Sequence, residues 1–169
     1  VLYLSAGFEP DQDNMRVQNS RGAEIRGSID RKVAFYSYFT TSQAIFPSWV
    51  KDYIEHSGAV PGEGFWKRYE EEGYGYFSAR GHISFNFTRH IQAQLGHDRN
   101  FVGEGYRSMI LSDFSNPYMF FKLNTKIWRF QLTNLWAQQT ADIIFDGQGR
   151  PTDARYPQKW FSLYRLGTN

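Results

Sequence analysis

YGYFSARGHISFNFTRHIQAQL, residues 74–95, alternates apolar and polar side chains over most of its length. Phe77, Ala79, Gly81, Ile83, Phe85 and Phe87 fall on one parity. Tyr76, Ser78, Arg80, His82, Ser84 and Asn86 fall on the other. Successive side chains of an extended strand point to opposite faces, so a period of two marks a strand with one apolar and one polar side. After Thr88 and Arg89 the alternation resumes, with Ile91, Ala93 and Leu95 set against His90, Gln92 and Gln94. Two residues between such runs predict a tight hairpin.

The same rhythm recurs outward from this hairpin. It is found at residues 2–8, 22–29, 33–41, 119–125, 128–136 and, less cleanly, 161–167. About eight strands are therefore expected, nearly all with one apolar and one polar face. The connections alternate in length. Residues 9–14 form a moderate link, then 30–32, 88–89 and the neighbourhood of Lys126 are tight, whereas 44–73, 97–117 and 138–159 are long. Alternating short and long connections suit an up-and-down barrel whose successive turns lie at opposite ends. A Greek key does not keep that rhythm. One long connection carries a helical signal, PSWVKDYIEHSG (47–58), with Trp49, Val50, Tyr53 and Ile54 on one face and Gly58 as the stop. Its apolar stripe is expected to pack over a barrel mouth.

Composition sets the outer bounds. Net charge is only +2, with 19 basic and 17 acidic side chains interspersed, which gives no nucleic-acid footprint. There is no cysteine, so neither a disulfide framework nor a thiolate metal site can form. No run of 18 apolar residues exists to make a membrane-spanning helix. Alternating strands of a membrane barrel average out as polar, and a mean hydropathy of −0.58 does not exclude one. Aromatic residues make up 18% of the chain, which favours strands.

Period two alone leaves open which face is inside. Two details favour apolar-out. The polar faces carry Tyr, Ser, Asn, Gln and single arginines rather than the Lys/Glu mixture of a solvated surface. Trp128 and Trp136 also share the apolar parity, about 26 Å apart at ~3.3 Å per residue, as two interfacial girdles would be. The expected architecture is an all-β, antiparallel, up-and-down transmembrane β-barrel with long extracellular loops and one short loop helix. Residues 1–169 are read as a single outer-membrane barrel segment.

His82, Ser84 and Asn86 share one face, as the serine, base and orienting amide of an outer-membrane lipid hydrolase would need to. They oppose Ile83, Phe85 and Phe87, however, so the expected role is hydrogen bonding in the lumen, and no catalytic residue is assigned. His56, His82, His90 and His97 lack ligand-like spacing, so no metal site is expected. The acidic run Glu70, Glu71 and Glu72 reads as a solvated loop. Gly103-Glu104-Gly105 lacks the lysine of a phosphate loop. The lumen charges Glu24, Arg26, Arg80, Lys122 and Arg129 are expected to pair across strands, with contact to an anionic glycan as the alternative.

Three segments carry a resemblance: RGAEIRGSID (21–30), TRHIQAQLGHDRNFVGEGYRSMILSD (88–113) and FFKLNTKIW (120–128). They resemble the Wzi-like capsule-assembly family of outer-membrane β-barrels, especially its gliding-motility, RemB-like branch. The family pattern is a strand ending in G-x-D, a loop with G-x-G-x-x-S, then L-S-D or L-S-N. Here those positions read Gly96-His97-Asp98, Gly103-Glu104-Gly105-Tyr106-Arg107-Ser108 and Leu111-Ser112-Asp113. Members have many more strands, so the resemblance implies that this chain supplies part of a larger barrel. Its opening on VLYLSAGF and its end within LYRLGTN fit that expectation.

The resemblance implies a non-enzymatic role in the bacterial outer membrane. That role is attachment of surface polysaccharide, or service as a subunit of a secretion or gliding-motility envelope assembly. Expected partners are outer-membrane lipid, surface polysaccharide and other envelope proteins, with no nucleic acid and no cofactor. Asp98, Arg107, Ser108, Arg80 and Arg129 are the ligand-contact candidates. Gly96, Gly103, Gly105, Ser112 and Asp113 are read as structural, and Trp128 and Trp136 as girdle residues. The alternatives are a lipid hydrolase using His82 and Ser84, and a soluble lipocalin-like ligand-binding barrel.

Overall fold

The protein is described from a computed structural model, which places residues 1–9, 15–69, 72–106, 108–140 and 158–168. Nine strands and one helix follow in chain order. They are β1 (Leu2–Gly7), β2 (Arg16–Ile29), β3 (Val33–Ala44), α1 (Ser48–Ser57), β4 (Trp66–Tyr69), β5 (Gly73–Asn86), β6 (Ile91–Asp98), β7 (Tyr118–Ile127), β8 (Phe130–Thr140) and β9 (Gln158–Thr168). All nine strands belong to one antiparallel sheet in the order β1-β2-β3-β5-β6-β7-β8-β9, with β4 paired to β5 off that path. This is the expected meander. β1 and β9 end the order, and among the described residues no ladder joins them, so the sheet is open.

Three elements depart from the sequence reading, β2 by starting at Arg16 rather than at residue 22. β4 lies inside the connection expected to be a long loop, because WKRY is too short to show alternation. It occupies the part of β5 that β6 does not reach: β4 pairs with residues 73–76 and β6 with residues 81–86. β8 begins at Phe130 rather than Trp128, and Trp128 takes a positive φ of 54° in the turn. The turn between β2 and β3 likewise has two positive φ angles, 49° at Asp30 and 52° at Arg31, as the hairpin turn matching strand twist requires.

The chain divides into two compact units. The first (Val1–Glu24, Tyr38–Ala79, Phe101–Asn116) has its core around Ala44, Val50, Ile54, Val60, Tyr74 and Tyr76, with Phe46 and Trp66 packed against it. The ring of Trp66 meets Tyr74 edge-on at 4.7 Å. Gly58 ends α1 in the left-handed conformation, donating its backbone N–H to Ile54 O at 2.8 Å. The start of α1 is held from afar. Ser48 donates its backbone N–H and its hydroxyl to the Glu9 carboxylate, which also accepts two bonds from Arg16 at 2.8 and 3.2 Å. Only Val50 and Ile54 of the expected stripe are buried. Trp49 and Tyr53 are 71% and 54% exposed, so half of that stripe points away from the core.

The second unit (Ile25–Ser37, Arg80–Asn100, Pro117–Asn169) is built of successive hairpins. The ladder places Ile83 opposite Leu95, Leu95 opposite Phe121, and Phe121 opposite Trp136. These apolar side chains share one face, and Ile83, Leu95 and Phe121 are 45%, 52% and 40% exposed. On the other face Asn86, Gln92, Asn124 and Thr133 are directly opposed across four strands. Their side chains link in series: Gln92 donates to Asn86 at 3.0 Å, Asn124 to Gln92 at 3.4 Å and Thr133 to Asn124 at 2.9 Å.

Candidate functional site

The polar face of the second unit gathers the side chains with the most chemistry. His82 Nδ1 lies 2.8 Å from Asp98 Oδ2, and Asp98 Oδ1 accepts the Arg99 backbone N–H at 2.8 Å. The Tyr36 ring sits 5.3 Å from the imidazole, and the Arg26 guanidinium lies 5.2 Å from the Tyr36 ring centroid. A cation, a phenol, an imidazole and a carboxylate therefore run in sequence across β2, β3, β5 and β6. Further along the face, Lys122 donates to Asn100 at 2.9 Å and lies over the Phe120 ring at 5.5 Å.

Gly96 makes room for this arrangement. It faces His82 across the β5–β6 ladder, and a Cβ added there would lie 2.5 Å from His82 Cβ and 2.3 Å from Gly81 O. A side chain at 96 would displace the imidazole from Asp98.

The ligand-contact candidates separate into different places. Asp98 and Arg80 belong to the polar face of the second unit, Asp98 buried and Arg80 half-buried. Arg129 lies in the turn between β7 and β8, 5.2 Å from the Trp128 ring centroid. Ser108 belongs to the first unit and is occupied in closing its own loop. It donates to Val102 O and accepts the backbone N–H groups of Ile110 and Leu111 at 3.0 and 3.1 Å. Gly103 packs against it so closely that a Cβ would fall 2.2 Å from the Ser108 hydroxyl. Gly105 has a φ of 123° in open space, Ser112 accepts the Phe114 N–H at 3.1 Å, and Asp113 is exposed. Arg107 lies outside the described residues, as do Glu70 and Glu71. Of the two girdle candidates, Trp128 is exposed in its turn, whereas Trp136 stacks on Phe121 at 5.6 Å and meets Tyr164 edge-on at 6.1 Å.

The pairing of His82 with Asp98 is not among the sequence expectations, which place Asp98 as a ligand-contact candidate and His82 as a hydrogen-bonding residue apart from it. The signal was present in the register. A tight turn at 88–89 sets Gly96 opposite His82, which places Asp98 one diagonal step along the same face. His97 points to the other face, opposite Gly81 and Met119.

Chemically, this face offers donors and acceptors beside an aromatic ring. No hydrogen bond joins His82 to Ser84 among the described residues. Among those residues, no group of three or more His, Cys, Asp or Glu side chains could hold a metal ion, and no helix is long and apolar enough to cross a membrane. The fold is an open all-β antiparallel sheet, and in its second unit one face carries the exposed Ile83, Leu95 and Phe121 while the other carries the hydrogen-bonded series from Asn86 to Thr133 together with the buried Phe120, Leu135 and Ala137. No family model, no curated protein and no solved structure matches the chain.

Proposed function

We propose that this chain forms part of the wall of a bacterial outer-membrane β-barrel of the capsule-assembly type. It works without chemistry, attaching surface polysaccharide or serving as a subunit of a secretion or gliding-motility assembly. The observation that carries the reading is the sidedness of the second unit. Ile83, Leu95 and Phe121 stand uncovered, while the amide and hydroxyl series from Asn86 to Thr133 lies on the opposite side. Soluble monomers rarely expose apolar patches beyond a few hundred Å². Burying a fully exposed Leu, Ile or Phe side chain is worth about 1.5–3 kcal/mol, so covering these three half-exposed ones recovers on the order of a few kcal/mol. Lipid on the apolar side and water or glycan on the polar side would satisfy both.

The capsule-assembly role rests on the resemblance at residues 88–113, and the polar face suits it. The His82 imidazole and the Arg26 guanidinium flank the Tyr36 ring, and polar groups set beside an aromatic ring are the partners a hydroxylated sugar needs. The experiment is fractionation of the full-length protein from the cell envelope, followed by glycan-array binding. Recovery only with detergent and capture of a surface glycan would support the reading. Recovery in the aqueous fraction would overturn it and favour the soluble lipocalin-like barrel, which has the weaker support because such a barrel turns its apolar face inward. The lipid-hydrolase alternative also has weaker support, since His82, although its Nδ1 is oriented by Asp98 as a triad base would be, makes no hydrogen bond to Ser84 among the described residues. Esterase activity abolished by Ser84→Ala would revive it.

A further inference from the structure

The near-neutral chain hides a charge asymmetry that the fold makes visible. The described residues of the second unit carry eleven Lys or Arg side chains against two carboxylates, Asp30 and Asp98. Five of these cations, Arg31, Lys32, Arg89, Lys126 and Arg129, stand exposed at or beside the three tight turns. Asp30, 3.7 Å from Lys32, is the single acid among the described residues of those turns.

The three turns form one continuous edge. Asn86 donates its backbone N–H to Lys32 O at 2.7 Å and its side-chain amide to Arg31 O at 2.8 Å, tying the first turn to the second. Lys126 donates its backbone N–H to His90 O at 2.8 Å, and His90 Nδ1 lies 2.8 Å from Lys126 O, tying the second to the third. Between the second and third turns lies a pocket of about 260 Å³ lined by Arg89, His90, Lys126 and neighbouring amides, with no carboxylate in its lining. Interleaved with the cations are apolar side chains that stand clear of the protein: Ile29, Phe87, Ile127 and Trp128.

We propose that this edge docks on the phosphates of anionic phospholipids. The inference rests on the membrane reading above and names the lipid class that the wall recognises. A soluble polyanion would need the cations alone. The exposed Ile, Phe and Trp side chains at the same edge match the boundary between hydrocarbon and headgroup, where aromatic rings anchor and cations meet phosphate. Each cation near an anionic surface contributes about a fivefold gain in binding, and salt weakens it.

The test floats the full chain with vesicles of phosphatidylcholine alone and of phosphatidylcholine mixed with phosphatidylglycerol, with heparin as the soluble polyanion. The expected result is preference for the mixed vesicles that fades as salt rises. Lys126→Gln with Arg129→Gln should reduce the preference by about fivefold per cation, leaving binding to neutral vesicles unchanged. Lys67→Gln with Arg68→Gln, in the first unit, should leave the preference intact. Equal flotation with both vesicle types overturns the inference and leaves the membrane reading standing. Flotation with neither overturns both. Heparin binding as tight as the mixed vesicles, without flotation on neutral ones, makes the edge a polyanion site and defeats the lipid assignment.

Discussion

Glu9 is the residue on which the entry to the first unit turns. Its carboxylate collects the Ser48 hydroxyl and backbone N–H and the Arg16 guanidinium. Those bonds, Ser48 first and Arg16 next, hold its pKa below the usual carboxylate range. A carboxyl whose pKa is depressed by folding stabilises the fold above the unfolded value of about 4.3, and that contribution is lost as pH falls through the lower folded value. Glu9→Gln should therefore lower stability at neutral pH, and its deficit against the wild type should vanish in acid. Urea unfolding followed by circular dichroism across pH checks this; a deficit that stays constant with pH would contradict it. Gly96 is the second decisive residue. Gly96→Ala forces a methyl against backbone and His82, and should cost about 1–3 kcal/mol in the same assay. Neither role was legible beforehand. The Glu9 contacts join residues 7 and 39 positions apart, and no periodicity reports a long-range cap. Gly96 was recognised as structural, but the residue it accommodates required the register.

At the scale of elements, the strands from 74 to 95 were legible because one parity is consistently apolar and two turn residues divide the runs. The helix was legible from its spacing and from Gly58, but its buried stripe was narrower than its apolar one. Ile54→Ala should cost about 2–5 kcal/mol, as removal of a fully buried side chain does, whereas Trp49→Ser should be near neutral for stability. Comparison of the two unfolding midpoints decides whether Val50 and Ile54 carry the packing; equal losses would contradict it. β4 stayed hidden because four residues with adjacent Lys67 and Arg68 carry no pattern, and pairing with residues 73–76 of β5 is what makes them a strand. Polar residues 18–21 of β2 were hidden for the same reason: their partners in β1 define them, not their own alternation.

For the whole molecule, the antiparallel meander and its alternating loop lengths were readable in the sequence. The separation of charge between the two units was not, because residues distant in the chain and interspersed in sign are sorted only when strands pair. The proposed membrane role requires the apolar face of the second unit to meet lipid. The chain contains no cysteine, so single cysteines report without interference. Gln94 and Leu95 are adjacent in β6 and point to opposite faces. Leu95→Cys and Gln94→Cys are each placed in the full-length protein in vesicles, labelled with a fluorophore, and exposed to quenchers carried by lipid chains or dissolved in water. Quenching is expected from lipid at position 95 and from water at position 94. Equal quenching of both positions by the aqueous reagent, with none from lipid, would contradict it.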